Sequence, residues 1–565
     1  MKRYGLDIFF LVIIFVVSIF LSKDLLRPGF FPMHDDISVL RMVQMEKCFK
    51  DGQIPCRWAP DLDAGYGQPL FNFYSPFPFY FGMIFRLMGF QFIDAIKIVF
   101  LIPFVLSGFF MYVFLKEYFG KIEALVGAIF FITAPYRSVN IFVRGALAEA
   151  TAIAFLPLLF YSLYKVIKDN NKIFIIVFAV SFCLFSLSHN ISAMITTPIL
   201  LLWSVLWAIN FKKTKSLINV FYSFVLAIGL DAFFLFPAFF ERKYVAIESL
   251  RLSYYDFRLH FVYLGQLFLI QYWDYGVSLG ADSRMSFQIG WPHWWVIPIA
   301  FIFTFFAKAG KVKDAKKYGI YFFIIVFLGA VFLTSRRSIF VWNNLPFLPF
   351  VQFPWRFLSY MIFSASFCAA GAVYFSKKVF NKYIAVILTI ILSFLAFALN
   401  YSFFHPLEMQ EWVTDNYKLT RLQLENQMKS AMIDFLPNTV KEVPEKIIQL
   451  KPIMNKGSGG IDNYILKSNS WEFYLNVEGT DIAEISVPVF DFPGWEVFMD
   501  NKKINHGIDS RKGTFLLKIP PGKYLVAGRF GNTPVRKIAN LISAVSFLFL
   551  VVFIFRVFLK RKQKG

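Results

Sequence analysis

What most limits this chain is a succession of apolar stretches, each near the ~20 residues a helix needs to cross a bilayer, separated by short clusters of lysine. They fall at about 7–22, 95–115, 121–137, 148–166, 173–190, 191–209, 216–238, 293–307, 318–334, 356–375, 383–403 and 537–558. A water-soluble core cannot hide a chain of 565 residues that is 57% hydrophobic. The expected fold is a polytopic α-helical membrane protein of about twelve spans, within a range of eleven to thirteen.

The clusters between the stretches set the orientation. Lys2/Arg3, Lys116/Lys121, Lys165/Lys168/Lys172, Lys212/Lys213/Lys215, Lys308/Lys311/Lys313/Lys316/Lys317, Lys377/Lys378/Lys382 and Lys560/Arg561/Lys562/Lys564 belong on the cytoplasmic side by the positive-inside rule. The formal net charge of +22 therefore reads as topology, and no nucleic-acid footprint is expected. Both termini are placed in the cytoplasm. The first span follows Met1-Lys2-Arg3 in the charge order of a signal peptide, but Ser22 to Arg27 offers no small-residue cleavage site, so the span is expected to be retained. Residues 76–90 are apolar enough to cross as well, yet a crossing there would put every later lysine cluster outside. The stretch from Phe71 to Phe90 is read as interfacial or re-entrant, with a crossing as the alternative.

Most of the unusual polar residues then share the opposite, extracytoplasmic face. The first outer loop, 23–94, opens with His34-Asp35-Asp36 and continues through an amphipathic stretch, Ile37 to Lys50, suited to a helix lying on the membrane. A carboxylate pair at this depth can act as a general base, bind a divalent ion such as Mg or Mn, or simply cap the following helix. Arg137, Arg144 and Arg356 sit at outer ends of spans, where a guanidinium can hold a phosphate bidentately or reach a headgroup, and Glu149 can orient Arg144. His189 marks a polar turn between two apolar stretches. Asp231 lies inside a span, where a carboxyl is expensive. Loop 239–292 mixes aromatics and carboxylates, a composition found both on sugar-stacking surfaces and in ordinary interfacial loops. Cys48 and Cys56 share the first outer loop and can pair there; Cys183 and Cys368 lie in apolar stretches.

From His405 the pattern changes to alternating strands, such as 471–477 and 513–519, with turns at Pro493-Gly494 and Pro521-Gly522. The expected organisation is a transmembrane domain over 1–403, an extracytoplasmic β-sandwich-like domain over 404–536, and a last span with a basic tail over 537–565.

Several motifs taken together, His34-Asp35-Asp36, Arg57-Trp58, Gly65-Tyr66-Gly67, Phe73-Tyr74-Ser75-Pro76, Pro135-Tyr136-Arg137, Arg144 to Glu149, Gln352 to Arg356 and Pro493-Gly494-Trp495, resemble bacterial membrane proteins labelled 6-pyruvoyl-tetrahydropterin synthase-related, which are similar to YfhO-type proteins. The pterin label has no support in the residues, since six histidines scattered through a membrane protein make no zinc set. The wider resemblance is to GT-C glycosyltransferases, which carry an acidic motif just after the first span. That resemblance implies a GT-C-like fold and transfer of a sugar from a polyprenyl-phosphate-linked donor to an envelope polymer, glycolipid or protein acceptor. By position alone it assigns catalysis to Asp35 or Asp36; the mechanism expected with it puts the donor phosphate on Arg137, Arg144 or Arg356, with His34, Glu149, His189 and Tyr66 in support. A second acidic motif is lacking, which leaves a divalent cation in doubt. The competing expectation is a non-enzymatic lipid-carrier flippase, or a scaffold for envelope assembly.

Overall fold

The computed structural model describes residues 5–279, 284–307, 315–429, 435–443 and 451–562, with side chains as far as residue 556. The orientation signals at Lys2, Arg3, Lys308, Lys311, Lys313 and Lys564, and the side chains of Lys560, Arg561 and Lys562, lie outside what is described.

Among the described residues, eight helices are long and apolar enough to cross a membrane, from Phe92–Tyr118 to Pro534–Arg556. A ninth span is a bent pair, Lys121–Thr133 and Pro135–Val143, at 47° to each other. The apolar pattern predicts one continuous element over 121–137; the break follows from Pro135, which forces Ala134 into extended backbone at φ −64°, ψ 130°. Gly5–Leu21, Ile173–Ser188 and Trp291–Phe306 are shorter apolar helices at expected spans. The fourth, Phe77–Leu87, has 11 residues. At ~1.5 Å per residue it is too short to cross, in keeping with the interfacial reading. It lies against the amphipathic helix Ser38–Lys50, with Arg86 donating to Glu46 at 2.8 Å.

The lysine clusters gather at one end of the bundle. Lys116 and Lys121 meet Asp7 at 3.2 and 3.0 Å, and Lys165 and Lys168 meet Glu117 at 3.2 and 2.8 Å. The acidic turn, the arginines and the strands occupy the other end.

Among the described residues, the strands of the C-terminal domain begin at Ile453. Before it, the short helices Asp415–Lys418 and Arg421–Lys429 belong to the surface of the first loop rather than to a sheet. Among the described residues, nine strands form two antiparallel sheets. One runs β1 (Ile453–Lys456), β4 (Ala483–Phe490), β8 (Thr514–Ile519), β7 (Gly507–Ile508); the other runs β2 (Ser458–Leu466), β3 (Ser470–Glu478), β9 (Gly522–Phe530), β5 (Trp495–Met499), β6 (Lys502–Ile504). Alternation explains the sandwich: Trp471, Phe473, Leu475 and Val477 of β3 are buried while Glu472 and Tyr474 face out.

This sandwich is seated on the first loop. Trp58, 1% exposed, packs among Phe492, Trp495 and Phe530, and Tyr66 stacks on Phe490 at 5.0 Å and 14°. Gly67 has φ +84°, and a Cβ there would collide with the Trp58 indole. Below the aromatics lies a buried polar network. Arg57 donates to Asn72 at 3.0 Å and to Asn540 at 2.9 Å, Asn72 donates to Glu241 at 2.9 Å, and Arg536 pairs with Glu241 at 2.8 Å. Burial, and then the nearby Arg536, pull the Arg57 guanidinium down to about 10. The Arg57-Trp58, Gly65-Tyr66-Gly67 and Pro493-Gly494-Trp495 motifs are thus an internal joint. Tyr66, expected to support the site, is part of that joint. Cys48 and Cys56 form a disulfide within the same loop.

Candidate functional site

The site is built where two elements distant in sequence meet. Past Pro135 the chain ends in a π-type turn, Val139–Val143, a widening that recurs at functional positions. It delivers Arg144 to Gly145, at φ +64°, where a Cβ would run into Met33. Because that position is glycine, the turn after the first helix can lie flat against it: His34 N–H donates to Val143 O at 3.0 Å and Asp35 N–H to Arg144 O at 2.8 Å. The acidic turn is therefore held by backbone bonds, and the Asp35 side chain is left exposed. Among the described residues its carboxylate has no hydrogen bond or ion pair. Its charge still acts on both Arg144 and Arg356.

Beneath it is a buried cluster. Arg144 donates to Glu149 at 2.8 Å and to Tyr136 Oη at 3.3 Å, and also bonds Asn140; its guanidinium lies 4.3 Å from the centre of the Trp355 ring. Tyr136 donates to Glu149 at 2.7 Å, and Ser359 Oγ donates to the same Glu149 oxygen at 3.3 Å. Arg356 holds Val351 O at 2.7 Å and Gln352 Oε1 at 3.1 Å, and its Nε, 3.7 Å from Glu149, makes no hydrogen bond. Burial works against the Arg144 charge, but the fields of Glu149, Tyr136 and Asp35 outweigh it and hold the guanidinium above its ordinary range. His189 is pushed down to about 3 by burial and then by Arg356, so its imidazole is neutral. Its Nδ1 accepts from Ser192 N at 3.2 Å as the N-cap of the next helix, which leaves the proton on Nε2. Two guanidiniums against one carboxylate leave the buried cluster with an excess positive charge, a receptive environment for an anion.

Other expected residues lie apart. Asp36 pairs with Lys418 at 2.6 Å; burial raises its pKa more than Lys418 lowers it. The capping alternative for the pair is not what forms, since the helix starts at Ser38 after Ile37 with no side-chain cap. His34 Nε2 contacts Tyr275 O at 2.9 Å. Arg137 does not join Arg144 and Arg356. The bend at Ala134 turns it into the bundle, where Nη2 donates to Ser107 at 3.0 Å, the guanidinium lies between Phe104 and Phe131, and Nε and Nη1 have no hydrogen-bond partner among the described residues. Asp231 is buried at 1% in the Leu217–Phe240 helix, away from the cluster.

Tyr136, Asn140, Trp355, Ser359 and Lys418 were not expected in the site. The four-residue spacing of Asn140 and Arg144 was a readable hint; Lys418 left none. Among the described residues no three of His, Cys, Asp and Glu converge on a metal position. With Asp36 committed to Lys418, the donor set around Asp35 does not fit a dedicated Mg or Mn site.

Fold and site together define a multi-spanning membrane protein with a charged reaction-sized cluster at one end of its bundle. The chain belongs to the 6-pyruvoyl-tetrahydropterin synthase related domain family of membrane proteins, which matches residues 71–405. Arg144, Glu149 and Arg356 fall inside that match and Asp35 precedes it. An uncharacterized protein of Lactococcus lactis subsp. cremoris (strain MG1363) is 24% identical over 300 residues, covering 46% of this chain and 48% of its own. The chain thus spans about half the length of the curated relative it matches. Among solved structures it is similar to the arabinofuranosyltransferase AftD from Mycobacteria (12% identity, TM-score 0.46, 75% of this chain and 29% of that one). It is also similar to the Archaeoglobus fulgidus oligosaccharyltransferase tethered to an acceptor peptide (14%, 0.42, 71% and 55%). A third is ArnT from Cupriavidus metallidurans bound to undecaprenyl phosphate (15%, 0.39, 66% and 60%).

Proposed function

We propose that this protein is a membrane glycosyltransferase of the GT-C type that moves a sugar from a polyprenyl-phosphate-type carrier to an acceptor on the extracytoplasmic side, the face bearing Asp35. The observation that carries the reading is the exposed, unpartnered Asp35 carboxylate, fixed by backbone bonds directly over the buried Arg144–Glu149–Arg356 cluster. A base above and an excess of buried positive charge below are the two halves that glycosyl transfer from a phosphate requires. In the proposed step Asp35 accepts the proton of the acceptor hydroxyl, whose oxygen forms a bond to the anomeric carbon from the face opposite the carrier. The bond from that carbon to the phosphate oxygen breaks, its electron pair leaves with the phosphate, and Arg144 and Arg356 stabilise the departing anion. The configuration inverts. Glu149 and Tyr136 position Arg144, and His189 can donate from Nε2. No step passes through a divalent cation, in line with the donor set.

Membrane lipids would bring the donor laterally, and the β-sandwich, seated on the same loop, would face the envelope polymer, glycolipid or protein acceptor. The flippase or scaffold reading rests on Asp231, a single buried carboxyl. Proteoliposomes given a panel of radiolabelled polyprenyl-phosphate sugars and an envelope extract decide between them. Transfer by the parent chain that Asp35→Asn removes supports the enzyme; lipid translocation without transfer, unaffected by Asp35→Asn, would overturn it.

A further inference from the structure

A pocket apart from that cluster lies at the same end of the bundle, between the turn after Gly5–Leu21 and the turn after Lys382–Ala398. Its cavity of about 590 Å3 is lined by Phe20, Tyr401, Ser402, Phe404 and His405 and by three charged residues, Lys23, Asp24 and Arg27. The charges in it are unevenly spent. Arg27 donates to Glu411 at 2.8 Å and lies 3.5 Å from Asp24, so its charge is already answered. Lys23 is exposed and, among the described residues, its ammonium has no carboxylate partner, only the Phe20 ring at 5.3 Å. Asp24 is 6% exposed, with Arg27 at that long distance its one ion-pair partner among the described residues. Tyr275 gives its hydroxyl proton to His405 O at 2.7 Å, so His405 Nδ1 carries its own proton toward Pro406 O at 2.8 Å, and Nε2 remains an acceptor. The cavity therefore offers donors on one side (Lys23, with the Tyr401 and Ser402 hydroxyls) and acceptors on the other (Asp24, His405 Nε2).

The wall of the cavity continues along the bundle as a hydrocarbon surface. Phe20 packs on Phe397 at 5.7 Å, and Phe397 stacks on Tyr401 at 5.7 Å and 15°. Phe20, Val16 and Phe394 are 45%, 57% and 65% exposed. Both helices pack on Lys121–Thr133, which floors the groove between them.

We infer that this groove holds a bilayer phospholipid with a zwitterionic amine headgroup of the phosphoethanolamine type, its phosphate on Lys23 and its ammonium on Asp24, with the acyl chains along Val16, Phe20 and Phe394. A free phosphate would use Lys23 but neither the acid nor the exposed aromatic wall. An anionic lipid would meet Asp24 with the wrong sign. The inference stands apart from the transferase reading, since it involves none of that site's residues.

The test uses the full chain, purified and exchanged into nanodiscs of phosphatidylethanolamine, phosphatidylglycerol or phosphatidylcholine, then ejected for native mass spectrometry to count retained lipid. Phosphatidylethanolamine should be retained in preference to the other two. Lys23→Ala should cut retention about tenfold, the loss expected for one charge-assisted hydrogen bond, without changing the lipid-free thermal midpoint. Asp24→Asn should erase the preference over phosphatidylglycerol, and inorganic phosphate should not displace the lipid. Equal retention of all three lipids, full retention by Lys23→Ala, or displacement by millimolar phosphate would overturn the proposal, the last by making the cavity a free-anion site.

Discussion

Two neighbouring carboxylates, alike in sequence, are separated by their surroundings. Asp36 is tied to Lys418, while Asp35 is exposed and held only through its backbone. Asp35→Asn should lower transfer by about 10²–10⁴-fold, the usual worth of a general base, with an unchanged thermal midpoint. Asp36→Asn should leave transfer within about tenfold of the parent in the same assay; a loss in Asp36→Asn with none in Asp35→Asn would reverse the assignment. His189 supplies a pH signature. Its pKa falls from 6.5 to about 3 on folding, so the folded chain resists the proton that the unfolded chain binds. Stability should be fully present above 6.5 and decline as pH drops below it, by up to ~1.4 kcal/mol per unit until about 3. His189→Asn keeps an acceptor for Ser192 N–H and removes the titration, so its thermal midpoint should fall less than the parent's between pH 7.5 and 5.

At the scale of elements, the meeting of the acidic turn with the end of the bent span depends on one missing Cβ. Gly145→Ala should displace the turn through Met33 and strain a positive φ, costing about 1–3 kcal/mol and most of the transfer activity. Unchanged melting and turnover in that variant would show that the contact does not govern the site. The elements themselves were largely legible: apolar length gave the helices, alternation gave β3 and β8, and Pro135 could have given the break at Ala134. What could not be read was partnership. Lys418 meets Asp36 across 382 residues with no local trace. Trp58, Gly67 and Trp495 stand out in sequence only as parts of separate motifs, because glycine beside an aromatic signals close approach without saying to what. The approach turned out to be between two parts of the same chain. Arg137 and Arg144 likewise share a span end in sequence, and only the bend sends them to different surroundings.

For the molecule as a whole, the segregation of lysines to one end and of the acidic turn and sandwich to the other predicts a sidedness. Cysteines introduced as Asp274→Cys and Asn501→Cys should react with a membrane-impermeant maleimide in intact cells; protection of both until lysis would invert the orientation. The joint beneath the sandwich adds a constraint in time. Arg57 is made long before Arg536, yet Glu241, Asn72 and Asn540 link them in one buried network. The first loop, which carries Asp35, cannot complete that network until the last helix has entered the membrane. A chain made only as far as the sandwich would sit in the bilayer with the base of its first loop untied, so the proposed chemistry would wait for the helix Pro534–Lys562, and a copy cut before that helix would be kept from acting on a carrier lipid.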